Sequence, residues 1–375
     1  MKGWPHLVDL LNSDKFKVIA GHALADFLPP VGLESVARWD VHKLGFEDFA
    51  LPDLVFFALT RLRGIEGLGR GDKIAWSVDA CFRDTPFRIV LRKRGFELYV
   101  PEGTPDDVTK ELGRCLKKAA GIAASFLKDA GKLQIEAGNV TIDNRFLIFE
   151  GAYRFFRMEA ETRFATGRTG IEALFDSKVK EAGYFAGAMI NAYFSRLEHV
   201  LVLAMAFTSF DPTKGALRKF AESLWDDKFA AAFDLATDTS AKRARDILGR
   251  LKKEHRNPIS HGGFDKKGTV FHFHVYGIDP VPAILLDYEV SIERYVSNVT
   301  RDQFHAVCGD LDECDRLLKE THLGFGLRYA ESGMSISFSA NSRERYRKAA
   351  KRPELFDQFV EDDQIRADMH MNMDL

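Results

Sequence analysis

The chain has 375 residues, a length that predicts two domains and leaves room for a third. Its hydrophobic fraction of 46% is typical of a globular protein with a sizeable core, and its 31 phenylalanines are expected mainly in that core. The formal net charge of −2 excludes attraction of polyanions by overall charge. Any nucleic-acid site therefore has to be a local basic cluster or a groove between two copies.

Residues 1–140 are predicted to form an α+β unit. Helix-like apolar spacing runs through residues 36–62 and is interrupted at Pro52. Three further segments alternate in polarity and are rich in β-branched and aromatic residues, which predicts an antiparallel meander. These segments are residues 74–82, 87–92 and 96–100. Thr104 is the predicted N-cap of a following helix that ends near residue 128.

From residue 143 onward the apolar spacing is helical, with short connections that predict a bundle. The predicted helices are residues 146–164, 177–210, 216–224, 226–235 and 239 to about 255. Residues 269–275 alternate like a strand, residues 285–298 and 302–319 predict further helices, and the last ten residues predict disorder. The fold class is therefore α+β, mainly α. The domains are an α+β domain at 1–140, a helical bundle at 141–300, and a helical extension with a partly disordered tail at 301–375.

The chain ends and apolar runs predict a soluble cytoplasmic protein. The N-terminal residues lack the apolar stretch of a signal peptide, and the longest apolar run, residues 200–207, is too short to cross a membrane. The four cysteines include no CxxC pair, which indicates reduced thiols. We expect no metal, no cofactor and no membrane partner.

The run Arg-Asn-Pro-Ile-Ser-His at residues 256–261 suits metal-independent cleavage of RNA. That reaction needs a base for the ribose 2′-hydroxyl, a cation for the phosphorane oxygens and an acid for the leaving 5′-oxygen. His261 titrates near neutrality and suits the base or the acid, whereas Arg256 is permanently charged and binds phosphate in a bidentate manner. The Asn257 amide can orient either partner or the substrate.

Arg256 and His261 lie five positions apart, so that on a regular helix their side chains would diverge by about 140°. Pro258 removes a backbone donor and disfavours helical geometry at Asn257. Gly262 gives the chain freedom just after the histidine. We therefore expect a broken helix that aims both side chains at one point.

An arginine, a polar residue that is often Asn, three further residues and a histidine resemble the signature of the HEPN superfamily, in which Gly commonly follows the histidine. Domains of that family often carry an acidic residue on an earlier apolar helix, and Glu198 within residues 193–201 occupies the matching position. The resemblance covers about residues 143–300. It implies a HEPN-like helical bundle.

The resemblance also implies a metal-independent endoribonuclease that leaves a 2′,3′-cyclic phosphate, with Arg256 stabilising phosphate charge, His261 acting as base or acid, and Asn257 and Glu198 orienting their partners. Members of the family typically form homodimers in which two motifs line one cleft, and higher homo-oligomers are also expected. Many are toxins or abortive-infection effectors in antiviral defence. Residues 1–140 would then sense a trigger, through a regulatory partner, or restrain the nuclease.

The same residues also fit plainer roles. Cationic side chains are favoured near the last carbonyls of a helix, and Asn-Pro is an ordinary helix-stop signal. Glu198 also fits a partly buried carboxylate that is paired with a neighbouring arginine. The main alternative to the nuclease is a non-catalytic HEPN-like module that binds a nucleotide, RNA or a partner protein, and a structural component is a third hypothesis.

Two basic clusters are candidates for contact with RNA. Arg88, Arg92, Lys93 and Arg94 accompany the predicted meander, with Phe87, Phe96 and Tyr99 nearby. Basic and aromatic side chains on strands can bind single-stranded nucleic acid. The second cluster has six basic residues between positions 343 and 352, on a predicted helix. A solvated surface is the alternative for both clusters.

Overall fold

The structure is a computed structural model that describes residues 21–22, 24–69, 71, 73–93, 95–257, 269–277, 280–286, 289–291 and 299–372. These residues form two compact units. The first unit contains the described residues up to Ala137 together with those from Asp362, and the second runs from Gly138 to Glu361. The fold is α+β and mainly helical, as the sequence predicts.

An antiparallel sheet dominates the first unit. Its strands are β1 (Phe27–Leu28), β2 (Trp39–Leu44), β3 (Gly67–Leu68), β4 (Ile74–Phe82), β5 (Thr85–Arg92) and β6 (Gly95–Pro101). The strand order is β1-β4-β5-β6-β2, and β3 also pairs with β4. The predicted meander is β4, β5 and β6.

Two helices accompany this sheet: α1 (Asp53–Phe57), which continues as a π-helical turn through Leu62, and α2 (Asp106–Glu136). Leu112, Leu116, Ala119 and Ala123 of α2 recur at helical spacing and are fully buried. They share one core with alternate residues of the strands, such as Phe87 and Ile89. Burial of this shared apolar face is the main term that stabilises the unit.

Two local predictions for this unit are wrong. Residues 39–44 form β2, although their spacing predicts a helix, because the edge of β6 satisfies their backbone groups in an antiparallel ladder. Thr104 does not cap α2: its hydroxyl donates to the carbonyl of Pro101 at 2.6 Å, and Pro105 occupies the N-cap position without a side-chain hydrogen bond.

The second unit is built from helices. They are α3 (Phe146–Thr166), α4 (Ser177–Ala204), α5 (Ala216–Glu222), α6 (Trp225–Ala232), α7 (Thr239–Leu251), α8 (Arg301–Lys319), α9 (Gly324–Ala330), α10 (Ala340–Ala350) and α11 (Phe356–Asn372). The residues of the last helix up to Glu361 belong to this unit. This helix extends through Asn372, in a stretch for which the sequence predicts disorder.

Helix α4 is the centre of this bundle, and its residues from Val200 to Ala204 are all buried. The guanidinium of Arg196 lies between the rings of Tyr153 and Tyr193, with its carbon 4.9 and 4.6 Å from the two centroids. The same side chain forms ion pairs with Glu150 of α3 and Asp315 of α8. One buried cation thus links three helices.

Two small antiparallel sheets complete the second unit: β7 (Thr141–Ile142) with β11 (Ile336–Ser337), and β8 (Thr269–Phe273), β9 (Val281–Leu286) and β10 (Glu289–Ser291) in the order β10-β9-β8. The predicted strand after the motif corresponds to β8. The helix predicted over residues 285–298 is wrong in its described part, because residues up to Leu286 pair with β8 and residues 289–291 pair back on β9. Residues 292–298 lie outside the described residues.

Candidate functional site

The candidate site lies where the end of α7 meets α4. The Arg256 Nη2 atom is 3.7 Å from Oε1 of Glu198. The two side chains are 25% and 28% exposed, so the pair is sheltered but open to solvent on one side. Of the four predicted catalytic residues, the structure thus brings Glu198 and Arg256 together, with Asn257 adjacent in the chain.

Helix α4 fixes the position of Glu198. The helix begins where the Asp176 carboxylate accepts a hydrogen bond from the Lys178 backbone N–H, at 2.9 Å, and it is held by buried residues along most of its length. Phe194 lies one turn before Glu198 on the same face, since residues four apart are neighbours on a helix. The ring and the carboxylate therefore face α7 together.

A change in helix type positions Arg256. After Leu251 the helix widens into a π-helical turn, Lys252–Arg256, in which the Asn257 N–H donates to the carbonyl of Lys252. Short π segments inside α-helices frequently occur at functional sites. Asn257 itself has φ −62° and ψ −48°, so the predicted break in helical geometry at this residue is wrong. The chain accommodates the motif by widening the helix before Asn257.

The Arg256 guanidinium packs on the face of the Phe194 ring. The Arg256 guanidinium carbon lies 4.6 Å from the centroid of the Phe194 ring, which is fully buried. A cation over an aromatic face gains about 0.5–2 kcal/mol, with the larger values in desolvated settings. The ring and Glu198 together hold the cation in one orientation while part of its surface stays open to a ligand.

Lys228 also belongs to this cluster, although the sequence motif does not include it. Its Nζ lies 3.1 Å from Oε2 of Glu198, and the side chain is 6% exposed. One signal was present: Trp225, Lys228, Phe229 and Ala232 recur at helical spacing, and all four are buried. A lysine within an apolar stripe needs an ionic partner. With two cations around one carboxylate, the cluster carries a net positive charge.

A second ion pair borders the cluster. Lys252 Nζ lies 2.7 Å from Oδ2 of Asp226 and 5.2 Å from the centroid of the Trp225 ring. The Trp225 Nε1 donor is buried and has no hydrogen-bond partner among the described residues. This ring also packs edge-on against Phe194, with centroids 5.4 Å apart. Trp225 therefore connects both ion pairs through apolar contact.

His261 lies outside the described residues, as do Pro258 and Gly262. The structure therefore leaves the predicted convergence of Arg256 and His261 as a prediction. The preceding His255 is described, and burial together with the charge of Arg250 lowers its pKa.

The predicted basic cluster of the first unit is paired within its own sheet. Arg88 Nε and Nη2 lie 2.6 and 2.8 Å from the two carboxylate oxygens of Asp79 on β4. Arg92 donates to Glu97 at 2.9 Å and to the Tyr99 hydroxyl at 3.2 Å, both on β6. Lys93 is exposed, and Arg94 lies outside the described residues. Two of the four cations thus already have carboxylate partners.

Among the described residues, no three His, Cys, Asp or Glu side chains are grouped so that they could hold a metal ion. In the same part of the chain, no helix combines the length and apolar character needed to span a membrane. Comparison of the chain with models of protein families, with curated proteins and with solved structures finds no match.

Proposed function

We propose that the protein is a metal-independent endoribonuclease of the HEPN type. The supporting observation is the arrangement of Arg256, which is oriented by Glu198 and Phe194 and still a quarter exposed. A permanently charged, preoriented and accessible guanidinium suits the charge that develops on a phosphorane. The sequence places Asn257 directly after it and His261 five positions on.

The proposed reaction is an internal transesterification. His261 accepts the proton of the ribose 2′-hydroxyl, the 2′-oxygen forms a bond to phosphorus, and the bond from phosphorus to the 5′-oxygen breaks. Arg256 offsets the charge on the non-bridging oxygens. The imidazolium that His261 has become then returns a proton to the 5′-oxygen. The products are a 2′,3′-cyclic phosphate and a 5′-hydroxyl. Glu198 and Asn257 orient their partners without entering the bond changes.

We further propose that the protein acts as a homodimer. Helix α3 exposes large apolar side chains on its outer surface, with Ile148 69%, Phe155 49% and Met158 55% exposed. Apolar surface of this kind on a soluble protein marks an interaction site. A partner copy would double the number of motifs in one cleft. Ile148→Glu is expected to give a monomer in light scattering, and a parent protein that is already monomeric would contradict the dimer.

A biological role in toxin-like or antiviral defence follows from the same proposal, with RNA as the substrate. The first unit would sense a trigger or restrain the nuclease. The two-unit division of the chain supports this separation of tasks. Expression of the full chain should then arrest bacterial growth in the parent and spare it in Arg256→Ala.

The central experiment is cleavage of labelled RNA in the presence of EDTA. Arg256→Ala and His261→Ala are expected to reduce the rate by at least about 100-fold, the usual cost of removing a group that stabilises transition-state charge. Arg245→Ala is the matched control, because Arg245 is an exposed arginine on α7. Cleavage at parental rates in both motif variants would refute the nuclease. RNA binding without any cleavage in the parent would favour the non-catalytic module.

A further inference from the structure

Helix α10 and the turn after it contain the second basic cluster of the sequence. It consists of Arg343, Arg345, Arg347, Lys348, Lys351 and Arg352. Glu344 is the one carboxylate within residues 343–352. A dense positive segment in a chain of net charge −2 concentrates potential at one place, which is what the binding of a polyanion requires.

Four of these cations line a cavity. Arg345, Lys348, Lys351 and Arg352 surround an open depression of about 580 Å³. The apolar part of its lining is Ala349 of α10 and Phe359 of α11. A volume of this size lies within the range of about 300–1,000 Å³ that is usual for ligand sites.

Phe359 presents a fixed aromatic surface in this cavity. Its ring packs on Phe325 and Tyr329, with centroid separations of 5.9 and 5.7 Å, so the core of the second unit holds it in place. The Arg345 guanidinium carbon lies 5.3 Å from the Phe359 centroid. Cations beside an anchored aromatic ring form the combination that binds successive phosphates and stacks a base of single-stranded nucleic acid.

The cations of the cavity differ in how far they are already paired. Lys348 Nζ lies 2.7 Å from Oε1 of Glu344. Lys351 and Arg352 are exposed and form no ion pair with any residue of the described ranges. Two adjacent exposed cations without carboxylates are available to an external anion at little desolvation cost.

We infer that this cavity binds the phosphate backbone of single-stranded RNA, with one base against Phe359. The inference rests on the proposed function in naming RNA as the ligand, but it concerns binding and not cleavage. The cavity would hold substrate strand outside the Arg256 cluster and so add affinity that the cluster alone lacks.

The test uses a labelled 2′-O-methyl oligouridine, which has no 2′-hydroxyl to react and cannot be cleaved. Fluorescence anisotropy of the full chain is measured over a series of salt concentrations. The double variant Lys351→Gln/Arg352→Gln is expected to bind about tenfold more weakly. The slope of log affinity against log salt should fall by about 1.4, because each phosphate contact on a single strand contributes about 0.7.

The matched control is Lys178→Gln/Lys180→Gln, which removes the same charge from two exposed lysines at the start of α4. Equal binding by parent and Lys351→Gln/Arg352→Gln, or an equal loss in the control, would overturn the inference. Preference for phosphatidylserine vesicles over the oligouridine would also overturn it, since a lipid surface would then be the ligand.

Arg256→Ala separates the two proposals. Introduced into this variant, Lys351→Gln/Arg352→Gln is still expected to weaken oligouridine binding to the same extent as in the parent, because none of the residues that line the cavity belongs to the Arg256 cluster. Binding that depends on Lys351 and Arg352 without cleavage of unmodified RNA by the parent would refute the nuclease alone. Cleavage that depends on Arg256, with binding insensitive to Lys351 and Arg352, would refute this site alone.

Discussion

Replacement of Glu198 by Gln tests the ionic cluster most directly. The substitution keeps the shape and a hydrogen-bond acceptor, but it leaves the ammonium of Lys228, 6% exposed, without its carboxylate. Removal of one partner of a buried ion pair costs about 3–5 kcal/mol. Glu198 is itself 28% exposed and also faces Arg256, so the lower end applies. We expect Glu198→Gln to lower the free energy of unfolding by about 3 kcal/mol.

The opposite substitution, Lys228→Met, should cost less. Methionine keeps the apolar stem in its place, and the Glu198 carboxylate retains Arg256 and access to water. A loss of about 1–2 kcal/mol is expected, as for a charge that stays partly solvated. The double variant should show a coupling free energy of at least about 1 kcal/mol. The reason is that Lys228→Met removes the buried ammonium that Glu198→Gln leaves without a carboxylate.

The assay is urea denaturation followed by circular dichroism for both single variants and the double variant. Glu222→Gln is the control, since its carboxylate is 71% exposed on α5 and should change stability by less than about 0.5 kcal/mol. Equal losses in Glu198→Gln and Lys228→Met would refute the reasoning from burial. Strict additivity in the double variant would show that the two groups do not interact energetically.

Three further predictions concern other parts of the fold. Asp315→Asn should destabilise the protein by about 2–3 kcal/mol in calorimetry, because the buried Arg196 loses one of its two carboxylates; an unchanged transition would contradict this. Burial lowers the pKa of His199, so below its ordinary value of 6.5 the unfolded chain binds a proton that the folded chain does not. This part of the stability is fully present above pH 6.5 and declines as the pH falls toward the folded pKa, and His199→Gln should flatten the decline in thermal melts. Arg88→Gln should change RNA affinity by less than about twofold, because Asp79 already pairs with that guanidinium. A loss of about tenfold would contradict this and indicate that RNA binds to the strands β4–β6.

Local sequence patterns predict much of this fold where the polarity of neighbouring residues determines the secondary structure. The segments that form β4, β5 and β6 are predicted to alternate, and the residues that enter the core do so, at positions 76, 78, 80 and 82 of β4, 87 and 89 of β5, and 96, 98 and 100 of β6. The opposite face is not simply solvated, because Ser77, Cys81 and Val90 are buried as well. Residues 39–44 differ, because their helix-like spacing is overridden by an edge of β6 that lies far away in the chain. Such pairing depends on tertiary neighbours, which no local window contains.

The sequence predicts some residues of the candidate site and not others. Glu198 and Arg256 are suggested by residue type and by the family resemblance, and the structure places them 3.7 Å apart. The motif does not identify Lys228, because its role depends on burial beside a carboxylate on another helix. Pro258 alone predicts a non-helical Asn257, whereas Asn257 is helical and follows a π-helical turn that the sequence does not indicate.

That turn, Lys252–Arg256, has a consequence for how the motif can vary. A π-helical turn contains one residue more than the α-helical turn it replaces. Wound as an ordinary α-helix, the same five residues would carry Arg256 about 100° further around the helix axis, away from Phe194 and Glu198. Deletion of one residue from the turn would offset that rotation and leave the guanidinium facing nearly its present direction. The width of the turn, together with the number of residues in it, therefore determines whether Arg256 meets Phe194 and Glu198.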